Sequence, residues 1–219
     1  IYCRSLLTSP VGWELIEKLQ GNPIDLLEVD AGVFTSLSIK DSPIGLSAVV
    51  RQVWNPLPVG LENGSVWLAL DSVADPGNLG TILRSLDATG GEGVILVGDS
   101  TDPYDPTAIR ASMGAVFTVR LVRTEMEDFI RWVSKNNVPL IGTSDKGASD
   151  YYRFPYPSDC VMAMGSERHG LSQSLLSICG DVVAIPMAGS CDSLNLGVAA
   201  SLVLYEIYNQ RRLVAGEHS

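Results

Sequence analysis

The chain has 219 residues, 46% of them hydrophobic, and a formal net charge of -10, which is enough apolar material for one large core or for a core with a smaller unit beside it. No apolar run reaches the ~20 residues that a membrane span needs, and the opening IYCRSLLTSP lacks the basic-then-apolar order of a secretory leader. The acidic balance weighs against a nucleic-acid binder that works through a broad basic surface, because Lys and Arg must neutralise the phosphates.

Residues 1–55 differ in character from the rest. Gly12–Gln20 is predicted as a short helix, Ile24–Val29 as a strand, and Gly45–Val53 as a second strand with alternating apolar positions. These are too few for a secure core and read as the remnant of a small α/β domain. WNPLPVGLENG at 54–64 carries two prolines, two glycines and two asparagines, so residues 56–64 are expected to be a linker.

From Ser65 to the end, residues 65–219, the pattern becomes regular. Strands are predicted at Val66–Leu70, Gly93–Val97, Phe117–Val122, Val138–Gly142, Asp159–Met164 and Val182–Ile185. Helices are predicted at Leu79–Thr89, Pro106–Ala115, Glu125–Lys135, Leu171–Ile178 and Asn195–Arg212, with Leu202, Val203 and Tyr205 on the last read as core. Short apolar strands alternating with helices imply an α/β fold with a mainly parallel sheet and helices on both faces. Ligands of such sheets sit at the carboxyl ends of the strands, where the loops at 71–78, 142–147, 165–170 and 186–195 fall.

The usual catalytic signatures are missing. There is no P-loop, no G-x-G-x-x-G opening a helix, and no G-x-S-x-G elbow. Of two histidines, His218 is penultimate, so His169 stands alone and neither a His-based triad nor a His-rich metal site is expected. The four cysteines, Cys3, Cys160, Cys179 and Cys191, form no C-x-x-C pair, which fits free thiols in a reducing, cytoplasmic setting.

Polar residues at strand ends remain. In DSVADPGNLGTILRS, Asn78 opens a helix and Arg84 follows six residues on; together they suit an anionic group, or else they are a helix cap and a surface arginine. In MAMGSERHGLS, Gly165 ends a strand and Glu167 follows in a glycine-flanked turn, either as a site carboxylate or as a cap for the next helix. In IPMAGSCDSLN, small residues let backbone groups approach a ligand, while Ser193 and Asn195 would serve equally as N-caps in an ordinary connection.

Taken in this order, N-x-x-x-x-x-R at Asn78 and Arg84, G-S-E-R-x-G-L at Gly165–Leu171 and I-P-M-x-G-S-x-x-S-L-N at Ile185–Asn195 resemble the three motifs of the SpoU/TrmH family of RNA ribose 2'-O-methyltransferases. The resemblance covers about residues 65–212, and Phe34–Val50 resembles the end of the small RNA-binding domain that many members carry in front. It implies a C-terminal trefoil knot, S-adenosylmethionine bound in the knotted loops, a homodimer, and RNA, above all ribosomal RNA, as substrate. No metal is required. By position, Thr143, Gly165, Ile185 and Leu194 would hold the cofactor, and Asn78, Arg84, Glu167, Ser193 and Asn195 would be the functional polar residues. A tRNA substrate, or a non-catalytic knotted RNA-binding protein, are the alternatives. The charge requires that cations converge, with Arg84, Arg110, Arg120, Arg123, Arg153 and Arg168 as candidates, since only Arg4, Lys18, Lys40 and Arg51 precede residue 60.

Overall fold

The computed structural model describes residues 1–39 and 41–216, so Lys40 and His218 lie outside the described residues. The chain divides into two units, Ile1–Gln52 and Val53–Ser219.

In the first unit, Ser9 caps helix α1 (Pro10–Leu19) by accepting from the amide of Gly12, and Pro10 occupies the first turn, where its missing N–H costs nothing. Helix α2 (Ala31–Leu37) has β-branched Val33 and Thr35 and was not anticipated; Asp30 fixes its start by accepting from the Val33 amide at 2.9 Å. The expected strands at 24–29 and 45–53 do not form. Each touches Tyr2 through one isolated bridge, at Glu28 and at Leu46. The chain between them is only Ile1–Cys3, too short for a ladder, and Gly45 turns at φ 78° with its missing Cβ 2.5 Å from the Leu7 amide nitrogen. Cys3, Leu7, Ile16 and Phe34 form the small buried centre.

The second unit is built on seven strands: β1 (Val66–Asp71), β2 (Gly93–Val97), β3 (Arg120–Thr124), β4 (Leu140–Thr143), β5 (Ser149–Asp150), β6 (Cys160–Met164) and β7 (Asp181–Ala184). They lie in the order β3-β2-β1-β6-β4-β7-β5, and all pairings are parallel. β1, β2 and β6 are buried along their whole length, which explains the apolar runs Val66–Leu70, Gly93–Val97 and Cys160–Met164. On one face α3 (Pro76–Ala88), α4 (Pro106–Ser112) and α7 (Leu196–Ala215) pack with Leu68, Leu70 and Met162. On the other, α5 (Met126–Asn136) and α6 (Gln173–Leu176) cover Trp67, Ala69, Ile95 and Val161.

Differences from the predicted elements have local causes. The helix expected to reach Ala115 stops at Ser112 because Met113 and Gly114 turn left-handed, and a 3-10 turn at Ala115–Phe117 takes the start of the expected strand, so β3 begins only at Arg120. α6 is four residues long, starting at the Ser172 cap rather than at Leu171. The two-residue edge strand β5 was not foreseen.

Residues 54–61 are irregular yet anchored. Asn55 bridges Val122 of β3, Trp132 Nε1 donates to the Pro58 carbonyl at 2.6 Å, and Leu57 and Leu61 pack on the α5 side. On α7, Val203 is fully buried as expected, but Leu202 and Tyr205 are 36% and 46% exposed, because they lie around the helix from the stripe that faces the sheet. Arg211 anchors the far end of α7 through Nη1 and Nη2 to the carbonyls of Gly64 and Ser158. No helix among the described residues is long and apolar enough to cross a membrane.

Candidate functional site

Because the sheet is parallel, the ends of β1, β4, β6 and β7 all open on one edge. After β1 the chain turns through Ser72, which sits at φ 55°, and Asp75 caps α3 by accepting from the Asn78 amide at 2.7 Å. Asn78 is therefore the third helical residue and not the cap. Asp followed by Pro76 at the first helical position was the sequence signal for this.

After β6 the chain makes a tight loop with an antiparallel bridge between Ser166 and Gly170. A Cβ on Gly165 would stand 1.8 Å from the Gly170 carbonyl carbon, so only glycine fits there. The loop carries Glu167 to the first loop: Oε1 accepts from Asn78 Nδ2 at 2.9 Å and Oε2 from the Ala74 amide at 3.4 Å. Desolvation pushes the Glu167 carboxyl up, but the donors from Asn78, its own backbone, Ala74 and Asp75 outweigh it and hold it below the usual carboxylate range.

After β7 the chain returns to α3. α7 begins at Asn195, whose Oδ1 caps the Val198 amide and whose Nδ2 donates to Asn78 Oδ1 at 2.8 Å. Close packing sets this register: a Cβ on Gly197 would meet Thr81 at 3.0 Å, and Ser85 and Ser201 share a hydroxyl contact of 2.7 Å. The three polar groups form a directional chain. An ionised carboxylate can only accept, so Asn78 must turn its NH2 to Glu167 and its oxygen to Asn195, and Asn195 must then use its own oxygen as the cap.

Asn78, Glu167 and Asn195, distant in sequence, are thus brought together. Arg84 is exposed on α3 and has no hydrogen bond or ion pair among the described residues, and Ser193 and Leu194 are exposed in the loop before α7. Thr143 Oγ1 donates to the Ala163 carbonyl at 3.2 Å, which ties β4 to β6, and Ile185 packs half-buried against the α3/α7 face. The backbone of Pro186–Leu194 makes no hydrogen bond with another described residue, and its side chains are exposed. Its amides and carbonyls, flanked by the apolar surfaces of Met187 and Leu194, can receive a planar polar ligand with hydrophobic faces, so the donor set fits a nucleoside-type cofactor. Asp71, Asp75 and Ser172 also shape the site and were not singled out from sequence. An acid ending the apolar run VWLALD was the available clue to the first.

A doubly wound α/β domain with its polar residues gathered at the carboxyl edge of a parallel sheet is a ligand-binding domain of the kind that nucleotide-dependent enzymes use. The model of the SpoU rRNA Methylase family matches residues 65–205, and the chain belongs to that family. It is 38% identical over 178 residues to the 23S rRNA (uridine(2479)-2'-O)-methyltransferase of Streptomyces viridochromogenes, covering 78% of this chain and 62% of the relative. To the 23S rRNA (guanosine-2'-O-)-methyltransferase RlmB of Ralstonia nicotianae it is 36% identical over 156 residues, 71% of this chain and 63% of that one. The chain thus spans under two thirds of the length of these curated relatives. Among solved structures it resembles the AdoMet-bound rRNA methyltransferase from Sinorhizobium meliloti at a TM-score of 0.84 and 36% identity, covering 92% of this chain and 78% of that one. The SpoU methyltransferase AviRb from Streptomyces viridochromogenes in complex with AdoMet gives 0.83 and 30%, with 96% and 81% covered.

Proposed function

We propose that this chain is an S-adenosylmethionine-dependent 2'-O-methyltransferase acting on a ribose of structured ribosomal RNA. The observation that carries the reading is the convergence of the three family stretches at one edge of the sheet, joined by the Asn195–Asn78–Glu167 hydrogen bonds. The names of the relatives supply the substrate class.

Bound S-adenosylmethionine supplies an electrophilic methyl group. Gly165, Ile185 and Leu194 would hold it largely through backbone atoms, with Thr143 at the neighbouring strand end. Asn78 and Asn195 each keep one amide N–H for the ribose and the methionine end of the cofactor, and Glu167 holds their orientation. Arg84 binds the phosphate beside the target and stabilises the oxygen as its proton passes to solvent water, since a guanidinium that is already protonated cannot accept it. Ser193, exposed beside Leu194, contacts the same ligands.

Residues 1–55 serve as part of an RNA-binding domain joined by residues 56–64 to the catalytic domain at 65–219. The entry of β6 between β1 and β4, followed by the return of α7 to α3, supports a chain that closes as a trefoil knot. Val198, Leu202 and Tyr205, exposed along one side of α7, support a homodimer through that face. Four free cysteines agree with a cytoplasmic setting.

The test is calorimetric titration of S-adenosylmethionine with and without ribosomal RNA, followed by methyl transfer. Binding is expected in the wild type and lost in Leu194→Trp, which folds normally because the position is exposed. Transfer is expected to fall at least about 100-fold in Arg84→Ala. A folded wild type that binds no S-adenosylmethionine under either condition sinks the reading.

A further inference from the structure

β1 is apolar from Val66 to Leu70 and ends on Asp71, an acid only 4% exposed. A buried carboxylate is costly unless donors meet its oxygens, so the source of those donors tells what the residue holds in place. One is local: Ser72 Oγ donates to Oδ1 at 3.3 Å. The other comes from 101 residues away, where the amide of Ser172 donates to Oδ2 at 2.8 Å.

Strand alternation explains the reach. Trp67 and Ala69 face the α5/α6 layer, Asp71 follows them on that face, and Ser172 is the cap of α6. The loop that leaves β6 is therefore held at three points: Gly165 against Gly170 at its base, Ser172 on Asp71, and Glu167 on Ala74 and Asn78. The third contact is solvent-exposed, and an exposed carboxylate keeps a fixed geometry only when its backbone is fixed. We infer that Asp71 is a positioning residue, which rests on the methyl-transfer reading above: its buried carboxylate holds the β6–α6 loop across the end of β1 and so aims Glu167 at Asn78. It touches neither cofactor nor ribose.

Three variants test this. Asp71→Ala removes the acceptor, and Ser172→Pro removes the donor from the surface side at a φ of -61° that proline adopts, leaving β1 untouched. Asp71→Asn keeps an acceptor oxygen of the same reach. In the first two, amides of residues 166–171 should exchange about tenfold faster, and kcat for methyl transfer should fall about tenfold with KM for RNA little changed. The Asn variant should stay within about threefold of wild type on both counts. In a Glu167→Ala background neither variant should lower kcat further, because the loop then has no acceptor to aim at Asn78. Unchanged exchange in both the Ala and Pro variants overturns the inference, as does a loss that multiplies in the Glu167→Ala background. If the wild type transfers no methyl group, the functional reading fails by itself, and the exchange arm alone decides whether Asp71 holds the loop.

Discussion

Gly165→Ala puts one methyl group where the site is tightest. The new Cβ would lie 1.8 Å from the Gly170 carbonyl carbon, 2.0 Å from the Leu171 amide nitrogen and 2.1 Å from the Gly170 oxygen. All three are backbone atoms, so no side chain can swing aside. The shortest contact falls about 1.6 Å below the 3.4 Å at which ordinary contact begins, and the 166–171 segment must move by roughly that amount. Overpacking usually costs about 1–3 kcal/mol; a backbone clash at the end of a buried strand belongs at the top of that range. About 3 kcal/mol lowers the melting temperature of the second unit by about 6–12 °C. The shift also withdraws Glu167 from Asn78, so S-adenosylmethionine affinity should drop at least about tenfold. Gly170→Ala is the control: it has a φ of 65° and nothing within 4 Å of its added Cβ, so only the left-handed strain remains, about 1–2 kcal/mol. Thermal melting and cofactor titration of both variants decide the matter. A Gly165→Ala protein that melts no lower than Gly170→Ala and binds the cofactor as tightly as wild type would falsify the close-approach argument.

Glu167 sets an acid limit on the site. Its carboxyl lies below the usual range in the folded protein, so its contacts are at full strength above the ordinary carboxylate value near ~4.3 and are lost as pH falls through the lower folded value. Cofactor affinity should be flat from about pH 8 to about pH 5 and weaken below about pH 4, with that step absent in Glu167→Gln; a wild-type loss already complete at about pH 6 would contradict the assignment. Cys191 offers a readout of loop occupancy. It is exposed, whereas burial pushes the thiols of Cys160 and Cys179 up to about 11 and Cys3 is buried. Alkylation at about pH 8 should modify Cys191 first and slow when S-adenosylmethionine is bound; prior labelling of Cys179 would argue against it. On α7, Leu202→Glu should yield a folded monomer in sedimentation experiments, because the position is exposed, whereas Val203→Glu should unfold the unit by burying a charge. A Leu202→Glu variant that sediments as the wild type does would remove this face as the interface.

The legible parts of the fold share one property: their information is local. Val66–Leu70, Gly93–Val97 and Asp159–Met164 announce strands because burial on both faces demands unbroken apolar runs. Segments 24–29 and 45–53 show similar patterns without becoming strands, since a strand needs a partner and only Ile1–Cys3 lies between them. The opposite error occurs at α2, where one aspartate cap outweighs β-branched residues that lower helix propensity. The extra turn after α4 follows from left-handed backbone at Met113 and Gly114, and propensity gives a methionine no reason to adopt it.

The polar residues that meet at the carboxyl edge were readable for the same reason. Asn78, Glu167 and Asn195 stand out as polar groups at strand ends, and the small residues of 186–193 mark a loop that a ligand can approach closely. Sequence by itself determined the family, the alternation of strands and helices, and which loops would lie at the carboxyl edge, because each depends on residues near one another in the chain. Only the tertiary structure decided that Glu167 accepts from Asn78 across 89 residues, that Asn78 accepts from Asn195 across 117, and that Asp71 reaches Ser172 across 101. Strand order sets those contacts, and strand order comes from packing both faces of one sheet at once, a condition on the whole chain that no single stretch contains.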